Sequence, residues 1–187
     1  MKTISTLTFF TRPTVALNTI SVSEFKKLPH IEQEDTLDQK QLFEQGKAAI
    51  LACSDVSTDE FTTLTVPDFN QLFNDISELI TTRSDLAQGQ ALNGKSTSFT
   101  LLHPFENEVG EKVTKVKFSV PTVAHSEALA ELDDQHEREV FMFEVITGLQ
   151  RSDFDYLSIN DYLALKPQVG AFFQQSAEYF RQRTLKA

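Results

Sequence analysis

The fold is decided by residues 57–80, which read STDEFTTLTVPDFNQLFNDISELI. Ser57 and Glu60 lie three residues apart, a spacing at which each side chain can accept a hydrogen bond from the other residue's backbone amide at a helix start. Thr65 and Pro67 repeat the signal, because a hydroxyl at the N-cap and a proline in the first turn both suit the beginning of a helix. The stretch therefore predicts a short capped helix followed by a longer one.

The longer helix has the clearest amphipathic pattern in the sequence, since six large apolar residues recur at helical spacing. They are Phe69, Leu72, Phe73, Ile76, Leu79 and Ile80. A second helix is predicted upstream, where apolar or small residues from Leu42 to Cys53 share one face. Gly46 lies in the middle of that face, and a glycine inside a helix costs about 1 kcal/mol relative to alanine. We therefore interpret Gly46 as a point of close packing.

The segments on either side of these helices have different patterns. Residues 3–10 and 14–22 are rich in Thr, Val, Ile and Phe and flank Arg12-Pro13, which is typical of a β-hairpin. Residues 84–97 lose the apolar pattern and contain Asn93-Gly94, which predicts a connecting loop.

The second half of the chain predicts a similar series of elements. They are strands at residues 98–103 and 113–120, a long helix from Ser126 to Thr147 ended by Gly148, a short capped helix at Ser152–Leu157 and a last helix from Ser158 through Phe180. Pro167 is expected to bend the last helix near its start. Three basic residues, Arg181, Arg183 and Lys186, are expected in its last turns, where cations suit the helix dipole.

The two halves align at an offset of 93 residues. The shared pattern is Phe-x-x-Leu-(Thr/Ser)-(Val/Ile)-x-Asp-(Phe/Tyr)-x-x-Leu, which begins at Phe61 and again at Phe154. The order of elements also agrees, which favours an internal duplication; two unrelated helical halves with common capping chemistry are the alternative. We predict a mainly helical α+β protein of two similar β-hairpin-plus-three-helix units, at residues 1–83 and 98–187, with a linker at 84–97.

Composition disfavours several classes of function. Hydrophobic residues make up 40% of the chain and charged residues 24%, as in a globular protein. The net charge of −10 repels phosphate backbones and disfavours nucleic-acid binding. Sixteen Phe without any Trp imply a large dry contact area, inside the fold or with a partner. The first ten residues lack the continuous apolar run of a signal peptide, and no run approaches a membrane span, so we expect a cytoplasmic protein.

The sequence predicts no catalytic, cofactor or metal site. The four histidines are His30, His103, His125 and His136, and none forms a His-x-x-x-His pair. Asp133 and His136 are one carboxylate and one imidazole three residues apart, whereas a di-iron site in a helix bundle needs two Glu-x-x-His pairs and two further carboxylates. Cys53, the one cysteine, falls on a predicted buried helix face, where burial would raise the pKa of its thiol and make it unreactive. Asp68 and Asp161 hold the same position in the shared pattern. They could form a carboxylate pair, but the favoured interpretation is that each is an acid in the first turn of its own helix, where the helix dipole stabilises a negative charge.

A series of motifs in the second half carries a resemblance to a known family. It comprises His103-Pro104-Phe105-Glu106, Pro121-Thr122, Ile146-Thr147-Gly148-Leu149, the run from Leu157 to Leu165, and Gly170-Ala171-Phe172. In order and spacing, these motifs resemble the small tail assembly chaperones of Mu-type tailed bacteriophages, over about residues 98–175. That family has a hairpin with Pro-Thr at its exit, a helix, a Thr-Gly-Leu step and an Asp-Tyr-x-x-Leu helix.

The resemblance implies a non-enzymatic protein of the host cytoplasm, absent from the mature virion, that helps the tail tube assemble. The implied partner is the tape measure protein, with the tail tube protein as a second candidate and no nucleic acid or membrane. The candidate contact residues are Phe141, Phe172, Phe173, Tyr179 and Phe180, for which burial in the core is the alternative. The alternative functions are a tail or baseplate component retained in the virion and a small cytosolic enzyme of unrecognised type.

Overall fold

The computed structural model describes residues 3–31, 33 and 36–181 of the chain. These residues form two compact units. Unit 1 contains the described residues up to Thr82 together with Ser158–Asn160, and unit 2 contains Arg83–Leu157 together with the described residues from Asp161 onwards. The described part of the chain is α+β, with nine helices and two antiparallel two-stranded sheets. None of its helices is both long enough and apolar enough to cross a membrane.

Unit 1 begins with the predicted hairpin. Strands β1 (Ile4–Thr6) and β2 (Thr14–Ala16) pair with Ser5 opposite Val15. The strands are shorter than the sequence pattern predicts, and Val22, the last residue of the predicted second strand, is the first residue of α1 (Val22–Lys26). The side chains of Ser21 and Glu24 form a capping box at the start of α1. This pairing satisfies two exposed amides and outweighs the β-propensity of the surrounding Val and Ile.

Three further helices complete unit 1. They are α2 (Gln39–Cys53), α3 (Thr58–Phe61) and α4 (Val66–Thr81). The capping box of Ser57 with Glu60 is present, and the Thr65 hydroxyl caps α4, so both predicted helix starts are confirmed. The close packing predicted at Gly46 is also confirmed, since a Cβ added there would lie 2.8 Å from Cζ of Phe69.

A short segment from far along the chain belongs to unit 1. The amide of Ile159 donates to the carbonyl of Ile20 (2.9 Å). The fully buried Asn160 donates from Nδ2 to the carbonyls of Leu79 (2.6 Å) and Thr82 (2.7 Å) and accepts from the Thr19 hydroxyl. Asn160 therefore satisfies the carbonyl groups at the end of α4 that have no partner within the helix.

Unit 2 contains one hairpin and the remaining helices. They are α5 (Ser84–Ala87), β3 (Ser98–Glu106), β4 (Lys112–Lys117), α6 (Val123–Ala130), α7 (Gln135–Thr147), α8 (Asp153–Tyr156) and α9 (Ile159–Gln174), of which the first two residues belong to unit 1. Strands β3 and β4 pair with Phe99 opposite Val116, and the register shifts between Thr100 and Phe105. Gly148 ends α7 in the left-handed conformation (φ 71°), as its position in the sequence predicts.

The prediction of one long helix from Ser126 to Thr147 is wrong, because the chain breaks between α6 and α7. The carboxylate of Asp134 accepts from the amide of Glu137 (2.8 Å) and so starts a new helix. Nη1 of Arg138 donates to the carbonyls of Leu129 (2.8 Å) and Leu132 (2.9 Å) at the end of α6. These side chains satisfy the backbone groups that the break exposes.

Two other predicted boundaries also differ from the structure. The segment 84–97 was expected to be a loop, but it begins with α5, where the buried carboxylate of Asp85 accepts a bidentate pair of hydrogen bonds from Arg83 and one from the amide of Leu92. The last helix ends at Gln174, and Phe180 lies outside it. Arg183 and Lys186, predicted in its last turns, fall outside the described residues.

Candidate partner-binding surfaces

The two aspartates that match in sequence hold matching positions in the two units. Each lies in the first turn of a helix, Asp68 in α4 and Asp161 in α9, and each is almost fully buried. Asp68 accepts from the amides of Thr8 (2.9 Å) and Phe9 (3.1 Å), just after β1. Asp161 accepts from the amides of Leu102 and His103 in β3 (both 3.0 Å). Each carboxylate therefore joins a helix start to the first strand region of its own unit.

The other ionisable groups considered in the sequence analysis are Cys53, His103 and the pair Asp133 and His136, and the structure shows the surroundings of each. Cys53 is fully buried, and burial raises the pKa of its thiol to about 12, so the thiol stays protonated. Burial lowers the pKa of His103, whose Nε2 has no hydrogen-bond partner in the structure. Asp133 precedes the N-cap of α7 instead of sharing a continuous helix with His136. Among the described residues, no group of three or more His, Cys, Asp or Glu is arranged to hold a metal ion.

Three of the five predicted contact residues meet at one end of unit 2. The ring of Phe172 stacks on Phe180 (centroids 4.7 Å apart), and Tyr179 packs edge-on against Phe180 (5.0 Å). Tyr179 remains 45% exposed, whereas Phe172 and Phe180 are half-buried. The chain turns back to this position after α9, and a Cβ added to Gly94 would lie 2.9 Å from the Tyr179 ring. Phe180 therefore contacts Phe172 from outside α9.

Phe141 and Phe173 are the other two predicted contact residues. They lie on α7 and α9 respectively, and both are half-buried. Their partial exposure leaves apolar ring surface in contact with water. This exposure is compatible with a contact surface, but it does not by itself distinguish a docking face from the edge of the core.

A groove of about 660 Å³ lies between α7 and α9 in unit 2. Its lining includes Arg138, Met142, Gly170 and Tyr179. At one end, the Tyr162 hydroxyl donates to Glu139 (2.7 Å) while Nζ of Lys166 donates to the same hydroxyl and to Glu139. Burial raises the pKa of Tyr162 to about 12, so the phenol is a neutral donor and not a base at neutral pH.

Unit 1 has an aromatic cluster that the sequence did not indicate as a surface. Phe43 of α2 stacks on Phe69 of α4 (5.5 Å), Phe69 lies edge-on to Phe61 (6.0 Å), and Phe73 extends the stack from Phe69 (6.3 Å). Phe43 is 52% exposed. Their helical spacing assigned these rings to predicted core faces. The one feature of the sequence that could have indicated an exposed aromatic surface was the excess of Phe over what a small core needs.

Comparison with known proteins identifies the second half of the chain. Residues 98–174, from the first residue of β3 to the last residue of α9, match a family described as phage tail assembly chaperone proteins, E, or 41 or 14. This segment is therefore similar to the tail assembly chaperone family. The resemblance found in the sequence is thereby confirmed at the level of the family, and the match supports a role in phage tail assembly. No curated protein and no solved structure matches the chain.

The matched segment contains one hairpin and four helices. It includes the hairpin and the helices α6 to α9, and it covers less than half of the chain. Phe141, Phe172 and Phe173 lie inside it, whereas Tyr179 and Phe180 follow it. The helices α1 to α5 and the first hairpin lie outside the match.

Proposed function

We propose that this protein is a non-catalytic tail assembly chaperone, of the kind found in Mu-type phages, that binds the tape measure protein while the tail tube assembles. The observation that carries the proposal is the family match over residues 98–174. A chaperone of this kind acts in the host cytoplasm and leaves before the virion matures. Tail assembly implies protein partners, and the tail tube protein is the second partner that we propose.

The contact surface that we propose consists of Phe141, Phe172, Phe173, Tyr179 and Phe180. Apolar rings on helices provide adaptable contact area for another protein's helices. The acidic character of the whole chain, with a net charge of −10, keeps such a protein soluble while it holds an aggregation-prone partner. The groove between α7 and α9 includes Tyr179 and therefore borders this surface.

We further propose that the chain arose by duplication of one hairpin-and-helices unit, giving domains at 1–83 and 98–187 with a linker at 84–97. The buried carboxylates of Asp68 and Asp161 support this proposal, because they are 93 residues apart and accept from adjacent amides near the first strand of each unit.

A second pair of contacts shares the offset of 93 residues. The amide of Ser57 donates to the carboxylate of Glu60 (2.9 Å), and the amide of Gln150 donates to that of Asp153 (2.9 Å). Both contacts stand at the start of a four-residue helix, α3 in unit 1 and α8 in unit 2.

A third pair joins the strand region to the long helix of each unit. The amide of Asn18 donates to the carbonyl of Cys53 (2.8 Å), and the amide of Ser119 donates to that of Ile146 (2.7 Å). Cys53 and Ile146 are again 93 residues apart and fully buried. Their donors Asn18 and Ser119 are 101 residues apart, so this pair matches in its acceptors alone. Together the three pairs of contacts support the proposed duplication.

Co-expression with the tape measure protein tests the function. We expect the wild-type chain to keep the tape measure protein soluble and to co-purify with it. The double variant Phe173→Asp and Tyr179→Asp should lose most of this activity, because it places two charges on the proposed contact surface. The matched control is Val120→Asp with Val123→Asp, since both valines are 77% exposed in the same unit. Equal co-purification of both double variants would reject the surface.

Residence in the virion is tested separately. Mass spectrometry of purified particles should detect the tape measure protein and the tail tube protein but only traces of this chain. A fixed copy number of the chain per particle would instead identify a retained tail or baseplate component.

A further inference from the structure

The aromatic cluster of unit 1 borders an open groove of about 730 Å³. The groove lies between the first half of α2 and the segment formed by α3 and the start of α4. Its apolar lining consists of Phe43, Phe61, Leu64, Val66 and Phe69. Val66 is 73% exposed and Phe43 is 52% exposed, so water reaches the groove along much of its length. The volume falls within the range of about 300–1,000 Å³ that is usual for ligand-binding pockets.

Unit 2 has a corresponding but smaller site. The residues 93 positions after Phe43 and Phe61 are His136 and Phe154, whose rings also pack in a tilted arrangement (5.8 Å against 6.3 Å). The residue that corresponds to Phe69 is Tyr162, which lies edge-on to Phe154 as Phe69 does to Phe61. The cavity at this site measures only about 190 Å³. A groove of about 730 Å³ is therefore a property of unit 1 and not a requirement of this packing.

The smaller cavity of unit 2 has an identifiable cause. Phe143 packs against both Phe154 (5.1 Å) and Tyr162 (5.7 Å), and Glu139 holds the Tyr162 hydroxyl. The corresponding residues of unit 1 are Ile50 and Gly46, which are smaller and offer no acceptor. Unit 1 thus leaves apolar ring surface uncovered.

Charge narrows the chemistry of a partner for the groove. Among the described residues, Lys47 is the single charged one in the groove lining, and its Nζ lies 5.6 Å from the centroid of the Phe61 ring. Within the described ranges, Lys47 has no carboxylate within ion-pair distance. A cation beside exposed aromatic rings in a chain of net charge −10 favours a partner that brings a carboxylate next to its apolar residues.

The surface of the chain itself argues against a second copy as the occupant. Helices that bind in grooves present apolar anchors three, four or seven residues apart. Among the described residues, no helix carries two exposed large apolar residues three or four apart; α2 has the adjacent pair Leu42 and Phe43, which belongs to the groove region. The occupant is therefore a helix of another protein.

We propose that the groove of unit 1 binds one amphipathic helix of the tape measure protein, with its apolar side chains against Phe43, Phe61 and Phe69 and an Asp or Glu facing Lys47. The identity of the partner rests on the proposed function, whereas the groove and its chemistry do not. The groove is a second contact surface, outside the region that matches the chaperone family.

Peptide binding to the full chain tests the site. Overlapping fluorescent peptides of about 25 residues that span the tape measure protein are titrated with the protein and followed by anisotropy. At least one predicted amphipathic helix with an acidic residue should bind the wild type, and Phe43→Ser should weaken that binding about tenfold or more, as expected for an aromatic hot spot. The matched control is Phe9→Ser, which removes a 65% exposed ring of the same unit that does not line the groove, and it should change Kd by less than about twofold.

A charge exchange provides a second, independent measurement. Lys47→Glu should weaken binding of the wild-type peptide. A peptide in which Lys replaces the acidic residue should bind the Lys47→Glu variant more tightly than the wild-type peptide does. Because Lys47 lies on an exposed helix, this variant tests the groove even if Phe43→Ser folds poorly.

Several outcomes would overturn the inference. Unchanged binding by Phe43→Ser and Lys47→Glu, with loss of binding only in the Phe173→Asp and Tyr179→Asp variant, would reject the groove and leave the proposed function intact. A wild-type dimer that Phe43→Ser converts to a monomer would identify a second copy as the occupant. Failure of the wild type to bind the intact tape measure protein or any of its peptides would reject the proposed function together with the inference.

Discussion

Units 1 and 2 share a set of polar contacts and differ in how their aromatic residues are covered. Asp68 and Asp161 accept adjacent amides in the same way. Phe61 beside Phe69 is nevertheless half-buried and lines a groove of about 730 Å³, whereas Phe154 beside Tyr162 is buried and lines a cavity of about 190 Å³. The two sites differ at the pair Gly46 and Ile50 against the pair Glu139 and Phe143. The comparison teaches that a few side chains decide how much aromatic surface a pair of helices leaves exposed.

The polar contacts are expected to have the largest effect on stability. Asp68→Ala and Asp161→Ala each leave two amides without their acceptor, and we expect each to lower the free energy of unfolding by about 3 kcal/mol, because an unpaired buried amide costs about 1–3 kcal/mol. Urea unfolding followed by circular dichroism measures the loss. Glu127→Ala, which removes an exposed acid from α6, is the control and should be close to neutral. A loss below about 1 kcal/mol in either aspartate variant would contradict the common structural role.

Tyr162→Phe places the residue of unit 1 at the matching position of unit 2. It removes the hydroxyl that Glu139 and Lys166 bind, and we expect a loss of about 1 kcal/mol at neutral pH. The pKa of Tyr162 is raised to about 12, so the unfolded chain loses this proton at lower pH than the folded chain. Stability from this group is therefore complete below about pH 10 and is lost as the pH rises towards about 12.

The measurement is the urea midpoint of both proteins between neutral pH and pH 11. The wild type should lose stability more steeply than Tyr162→Phe above about pH 10, so that the difference between them shrinks. A phenol titration followed by absorbance should also show a component with a midpoint of about 12 that the variant lacks. If the urea midpoints of the two proteins changed with pH in parallel, the Tyr162 hydroxyl would not have the raised pKa that its burial implies.

The smallest effect is expected from a pair of glycine substitutions. Gly46→Ala gains about 1 kcal/mol of helix propensity but pushes against the half-buried ring of Phe69, so we expect a net change within about 0.5 kcal/mol. Gly170→Ala meets no atom within 4 Å and should stabilise α9 by up to about 1 kcal/mol. Thermal unfolding of both variants compares the two units directly. Equal stabilisation by both would show that Phe69 does not rest on Gly46.

Local chemistry explains which predictions from the sequence were correct. The starts of α3 and α4 were predicted because Ser57, Glu60 and Thr65 satisfy amides within three residues of themselves. The stop of α7 at Gly148 was predicted for the same reason, since its left-handed conformation is a property of glycine itself. The family of residues 98–174 was recognised because its motifs are mostly such local caps and core positions.

Predictions failed where contacts beyond one helical turn compete with local preference. At the break before α7, Arg138 donates to carbonyls six and nine residues back, and after the end of α9 the ring of Phe180 stacks on Phe172. Apolar periodicity marks positions on a face, but it does not tell how much of that face another element covers. The sequence therefore assigned Phe43 and Phe69 to a core and could not reveal the open groove beside them.

The amino-acid sequence by itself determined the starts of α3 and α4, the stop of α7 and the resemblance of residues 98–174 to the chaperone family, because each depends on motifs whose residues lie within a few positions of one another. Only the tertiary structure decided where the carboxylates of Asp68 and Asp161 find their amides, about sixty residues away. It alone also decided that Ser158–Asn160 complete unit 1 and that the rings beside Gly46 remain uncovered. The physical reason is that burial is set by neighbours in space, and these neighbours are distant in the chain.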